Sequence, residues 1–414
     1  MTVRFRDMKK TYERFLEYVA YDTQSRADAD AYPSTDKQWL LAKRLLADLR
    51  EMGISAEVDA FGYVIGKLPG NVPGAPRMAL IAHMDTSPDA SGTNVRPRWI
   101  RSYDGSPIVL RAETGMVLSP GQFPSLKKQV GHDLIVTDGT TLLGADDKAG
   151  VAEIMTIAAE LAGDPKIPHG DLVFVFTPDE EVGNGTDHLD LAKVPADFAY
   201  TLDGSDAGEI AYENFNAASA TVTIFGKSVH PGSAKNRMVN ALMVAMEMDS
   251  LLPGFERPEI TEKYEGFHHL HGMEGNCEKT VMKYLIRNHD QATFQRQKQD
   301  FTAARDFLNA KYGYEICHID VKDSYYNMRE KIEPVMYIVD IAVEAIRETG
   351  LEPLIEPIRG GTDGARLTFL GLPCPNLGTG GYNFHGPYEY VSVQEMDQSV
   401  EVLRRIIAKV AKRK

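Results

Sequence analysis

The sequence predicts an α/β protein: a larger domain with a mixed, largely parallel sheet flanked by helices, interrupted by an inserted α+β domain. Three observations carry this. Short continuous apolar runs, Met78–Ala82, Leu172–Phe176 and Phe198–Leu202, read as strands buried on both faces, and helix-patterned stretches alternate with them. From about residue 217 the texture changes to apolar/polar alternation, the mark of strands with one wet face. The 414 residues exceed what one core holds, at roughly 100–200 residues per domain. The expected boundaries are 1–216 with 331–414 for the larger domain, and 217–330 for the insert.

Taken in order, Tyr12, Phe15, Leu16 and Val19 recur at helical spacing, and Leu40, Leu41, Leu45, Leu46 and Leu49 mark a second helix behind Pro33-Ser34-Thr35. The apolar runs follow, with Leu134–Val136 among them, each with acidic residues or His at its C-terminal end. Ala149–Leu161 is the helix between two of these strands. In the insert, Ala220–Phe225 reads as a strand, Val239–Leu252 as a helix, and His268–Asn288 as two strands. A long helix carries Phe294, Phe301, Phe307 and Leu308, and Ile316–Val321 alternates again. The closing part has a helix over Val335–Thr349, a strand over Pro353–Ile358 and a last helix over Val400–Val410.

Composition narrows the function. A net charge of −14 without a Lys/Arg stripe excludes a partner held through phosphates, so no nucleic acid is expected. The three cysteines, Cys277, Cys317 and Cys374, form no C-x-x-C pair, which points away from a disulfide framework and a thiolate metal cage and fits a reducing cytoplasm. No apolar run reaches the ~20 residues of a membrane span, and the N-terminus carries no secretory apolar region. Neither membrane nor export is expected.

The chemistry-bearing residues sit at the ends of the apolar runs, where α/β sheets gather ligands. His83 and Asp85 share a strand face by the two-residue period, so the carboxylate can orient the imidazole. Alone this suits a structural histidine as well. Gly144–Gly150, with Asp146 and Asp147, reads as a helix cap or as a carboxylate that bridges cations. Glu180 and Glu181 follow Leu172–Phe176, Asp203 follows Phe198–Leu202, and His385 lies in a glycine-rich loop. Together they form an N/O ligand set without thiolate, suited to a pair of zinc ions, with cobalt or manganese as substitutes, and hence to two-metal hydrolysis.

The motifs HMDTSPD, LLGADDKAG, TPDEEVG, TLDG, SVHPGSAK, SYYNMRE, IRGGTDGA and GLPCPNLGTGG, with the His385-Gly386 loop, resemble the dizinc aminoacylase/carboxypeptidase-type metallopeptidases. The likeness runs in order along essentially the whole chain and is strongest to their tripeptide-cleaving aminopeptidase branch. It implies one zinc held by His83, Asp203 and bridging Asp146, and another by Asp146, Glu181 and His385. It implies Glu180 as general base, with Asp85 beside His83, in a catalytic domain carrying a lid or dimerisation insert. The bridge is the first residue of D-x-K, which selects Asp146 over Asp147. Three further residues are expected to meet a small peptide substrate: His230 at the oxyanion, Arg359 at a carboxylate and Asn327 at the peptide backbone. Two other readings stand beside this one: a related dipeptidase or N-acyl amino acid hydrolase, and a catalytically silent protein that uses the insert to form a homodimer.

Overall fold

The computed structural model describes residues 9–413. The chain divides into two compact units. One takes the chain up to Tyr212, Glu330–Glu356 and the chain from Thr362 onward; the other takes Glu213–Arg329 and Pro357–Gly361. Residues 357–361, expected in the larger domain, thus join the insert, and its first boundary falls at Glu213 rather than 217.

The first unit is built on a seven-stranded sheet. In order across it run Ser55–Val58, Val64–Leu68, Leu172–Thr177, Met78–His83, Phe198–Gly204, Asn376–Gly378 and Ile210–Ala211. The four strands from Leu172–Thr177 to Asn376–Gly378 are parallel, and the outer strands are antiparallel, so the sheet is mixed and centrally parallel. Every residue of Leu172–Thr177 and Met78–His83 is buried, as continuous apolar runs require when both faces are covered. On one face Tyr63, Ile65, Ala79, Ile81, Val173 and Val175 pack with Leu367 and Cys374.

Helix Ala145–Gly163 packs against Met78–His83 and Phe198–Gly204 and is buried along most of its length. Gly150 permits this approach. A Cβ there would stand 2.3 Å from the Leu202 carbonyl oxygen and 2.5 Å from Asp147 Oδ1. The last helix, Val393–Ala411, starts well before the Val400 that the apolar spacing suggests, because Ser392 caps it by accepting the Glu395 N–H.

Two expectations fail here. Leu134–Val136 is a strand, but it lies outside the main sheet, pairing antiparallel with Tyr390–Ser392 and Arg98–Ile100. A three-residue apolar run carries no information about which sheet it joins. Pro353–Ile358 forms no strand; it makes only isolated bridges at Leu354 and Ile358. Pro353 and Pro357 lack the N–H groups a ladder needs.

The second unit is a four-stranded antiparallel sheet in the order Phe267–Gly275, Lys279–Asn288, Asn216–Phe225 and Cys317–Tyr325. Alternate residues Val222, Ile224, Met282, Tyr284 and Ile286 pack against helices Ala241–Ser250 and Gln291–Tyr312 through Val244, Met248, Phe294, Phe301 and Leu308. Asp290 caps the longer helix by accepting the Thr293 N–H, and Gly313 ends it at φ 74°. Among the described residues no helix is long and apolar enough to cross a membrane.

Candidate metal centre

Three parallel strands deliver their last residues to one edge of the main sheet. His83 is level with Thr177, so the loop that follows Thr177 begins beside it. Ile81 is level with Thr201, which brings Asp203 to the same height two residues on. The loop bearing Glu180 and Glu181 turns back through Asp179 at φ 59°. Asp179 is held there by the Ser34 N–H, the Ser34 hydroxyl and the Gln38 amide.

The site residues expected at the strand ends and the glycine-rich loop meet here. His83 Nε2 is 2.9 Å from Asp146 Oδ1 and 3.5 Å from Asp203 Oδ1. His385 Nε2 is 3.2 Å from Asp146 Oδ2 and 2.9 Å from Glu181 Oε2. The two oxygens of Asp146 thus face different imidazoles. Candidate ligand atoms of His83, Glu180 and Asp203, and of His83, Asp146 and Glu181, lie within 4.8 Å of one another. Glu181 Oε1 is buried without a hydrogen-bond partner among the described residues. Asp85 is fully buried, its Oδ1 3.3 Å from His83 Nδ1, and it accepts the N–H groups of Glu180 and Glu181 at 3.0 and 3.2 Å. One carboxylate therefore sets both the imidazole and the acidic loop.

The electrostatics follow from acids crowded around two imidazoles. Hydrogen bonds that its ring donates to Asp146 and Glu181 raise His385 to about 11. Burial pulls His83 the other way, but Asp146, Asp203 and Asp85 outweigh it and hold its pKa well above the ordinary histidine value. Burial pushes Glu181 up to about 7, with Asp146 adding to it, and lifts Glu180 well above the carboxylate range, with Asp203 adding there. Burial also opposes ionisation of Asp146, yet the two histidines hold it below its usual value. Among the described residues, the ion pairs of Asp146, Glu181 and Asp203 are all to histidine. A carboxylate-rich N/O cluster with an unpartnered buried oxygen fits divalent cations, and its donor types fit zinc.

Asp147 serves the backbone instead. Its Oδ2 accepts the His83 N–H at 3.1 Å and its Oδ1 the Gly150 N–H at 3.2 Å. The Asp146–Asp147 peptide is cis. Sequence reasoning missed three acids. Asp363 accepts the Thr177 hydroxyl at 2.8 Å, and burial lifts it to about 7. Asp89 Oδ2 lies 3.3 Å from His385 Nδ1. Glu389 accepts three backbone N–H groups around Asp146, and burial pushes it up to about 7 against those donors. The spacing H-G-x-x-E is the only visible signal for Glu389.

His230, Asn327 and Arg359 belong to the second unit. His230 is exposed, and its Nδ1 accepts the Gly232 N–H at 3.1 Å. The Arg359 guanidinium donates to the carbonyls of Lys263 and Glu265 at 2.7 and 2.8 Å and stacks over Phe215 and Phe267. The Asn327 amide is engaged within its unit, accepting from Asn214 and Arg329 and donating to His289.

Parallel strands ending in a His/Asp/Glu cluster define a metal-dependent hydrolase of the α/β class, and the chain belongs to peptidase family M20/M25/M40, whose profile matches residues 136–409. More particularly, it is 51% identical over 402 residues to peptidase T of Clostridium acetobutylicum, covering 97% of this chain and 98% of the relative. Among solved structures it resembles the aminopeptidase PepT of Bacillus cereus, with a TM-score of 0.76 at 24% identity over 97% of this chain and 98% of that one. It also resembles a tripeptidase of Staphylococcus aureus, with a TM-score of 0.78 at 24% identity over 98% of both. The structural likenesses establish the fold.

Proposed function

We propose that this chain is an aminopeptidase that removes the N-terminal residue of tripeptides with a pair of zinc ions and Glu180 as general base. The observation that carries it is Asp146, whose two oxygens stand 2.9 and 3.2 Å from His83 and His385. One ion would be held by His83, Asp203 and Asp146, the other by Asp146, Glu181 and His385. When bound, such ions polarise the scissile carbonyl and lower the pKa of water towards ~7.

Glu180 then takes the proton from the attacking water and returns it to the departing amine. Burial, with Asp203 adding to it, raises its pKa above that of an exposed carboxylate, which makes it a stronger base for the water proton. Asp85 keeps His83 and the Glu180 backbone in fixed relation. The roles of His230 and Arg359 at the substrate rest on the family likeness. So does that of Asn327; the side chains of both Asn327 and Arg359 have backbone partners within their own unit.

The tripeptide preference is supported by the peptidase T relatives and the tripeptidase neighbour. The same relatives disfavour a dipeptidase, an N-acyl amino acid hydrolase and a silent binding protein. A cytoplasmic, homodimeric enzyme completes the reading, and the three unpaired cysteines suit a reducing compartment. The test is a panel of di-, tri- and tetrapeptides with free and blocked amino ends. Free tripeptides should be cleaved first and N-blocked ones spared; equal cleavage of both would overturn the assignment.

A further inference from the structure

Glu389 is 1% exposed, and none of the ion pairs seen among the described residues involves it. Its Oε2 accepts the N–H groups of Leu143 and Gly144 at 2.6 and 2.9 Å, and its Oε1 accepts the Asp146 N–H at 3.0 Å. These donors sit at the start of helix Ala145–Gly163, whose N-cap is Gly144, at φ 81° and without a side chain to cap it. Asp146 and Asp147 have non-helical backbone, at φ −86°, ψ 108° and φ −118°, ψ 35°. One helical bond, from the Lys148 N–H to the Gly144 carbonyl at 3.2 Å, spans this turn, but the N–H of Asp146 itself goes to an acid 243 residues away.

That acid shares a loop with His385. The Glu389 N–H donates to the Gly386 carbonyl at 3.2 Å, Asn383 Nδ2 to the Tyr388 carbonyl at 3.1 Å, and the Thr137 hydroxyl to the Pro387 carbonyl at 2.7 Å. One tied-down loop thus reaches Asp146 twice, with an imidazole at its side chain and a carboxylate at its backbone. An acceptor-only group is what three N–H donors require. A glutamine of nearly the same size would bring its own N–H groups against one of them.

We propose that Glu389 is a positioning residue for Asp146: it holds the Leu143–Asp146 backbone so that the two aspartate oxygens are already aimed at both metal positions. This rests on reading Asp146 as the bridge. A helix cap serving stability alone would lower the melting temperature and leave metal binding untouched; a brace acts on both metal positions.

The test compares the apo forms of wild type, Glu389→Gln and Glu395→Gln by calorimetric titration with zinc and by the absorption spectrum after cobalt loading. Glu395 is a buried acid whose side chain meets Gln129 and Tyr382, so its variant controls for loss of a buried charge. Glu389→Gln is expected to weaken zinc about 10- to 100-fold at both equivalents, alter the cobalt spectrum and lower kcat more than it raises KM. Glu395→Gln should keep wild-type zinc affinity. If Glu389→Gln does not fold, Glu389→Asp keeps the charge but shortens the reach and should show the same two-site weakening. Wild-type zinc affinity and cobalt spectrum in a folded Glu389 variant, with only a lower melting temperature, would overturn the brace alone. Failure of the wild type to take up zinc would instead overturn the metal reading beneath it.

Discussion

The enclosed acids of the second unit and the acid cluster of the first are treated in opposite ways. In the second unit they have cationic partners: Asp249 lies 2.8 Å from Arg257, and Glu256 pairs with Arg296 and accepts from the Gln297 amide at 2.9 Å. In the first unit Asp146, Glu181 and Asp203 crowd together with imidazoles as their ion-pair partners. Burying carboxylates without a fixed cation is expensive, so folding alone does not explain the cluster. Paired acids serve the fold, and single acids such as Glu389 and Glu395 find neutral donors; a cluster of acids sharing only imidazoles marks the place where charge is to be supplied from outside.

The largest expected effect tests that contrast at its chemical end. Glu180→Gln should keep two equivalents of metal by elemental analysis while kcat falls by about 10²–10⁴, the usual contribution of a general base. An ordinary kcat would remove Glu180 from its role. In the other unit, Arg296→Met strips Glu256 of its cation and should cost about 1–3 kcal/mol in denaturant unfolding, with kcat unchanged. Altered kcat there would blur the division between acids that fold and acids that act.

The smallest effect concerns pH. His268 is 1% exposed, and burial, helped by the nearby Arg257, lowers its pKa to about 4. The unfolded chain takes up this proton first, so the contribution of neutral His268 to stability is complete above the ordinary value of about 6.5 and shrinks as pH falls towards about 4. Thermal melts from pH 7 to 4 should show this decline, and His268→Phe should flatten it. An equal slope in the variant would assign the loss to other groups.

Much of this is legible in the residues. Fully apolar runs ending in acids mark both the central strands and the edge where chemistry gathers, because burial on two faces leaves no freedom in composition. What escapes has no such signature. Leu134–Val136 is too short to declare its sheet. Pro353–Ile358 has the right apolar content, but its prolines deny it a ladder. Glu389 and Asp363 escape because their partners are backbone N–H groups and a threonine hydroxyl, which leave no pattern of residue types behind. Arg359 is legible as a fork for a carboxylate, yet within its own unit backbone carbonyls occupy it.

Position 150 illustrates how chemistry can be guarded by a residue that has none. With no room for a methyl group between it and the Leu202 carbonyl, any side chain there would lift the start of the helix away from the strand ends. Asp146 would retreat with it. The spacing of the reactive groups thus depends on an empty place, and filling it would require the whole acid-bearing turn to be rebuilt.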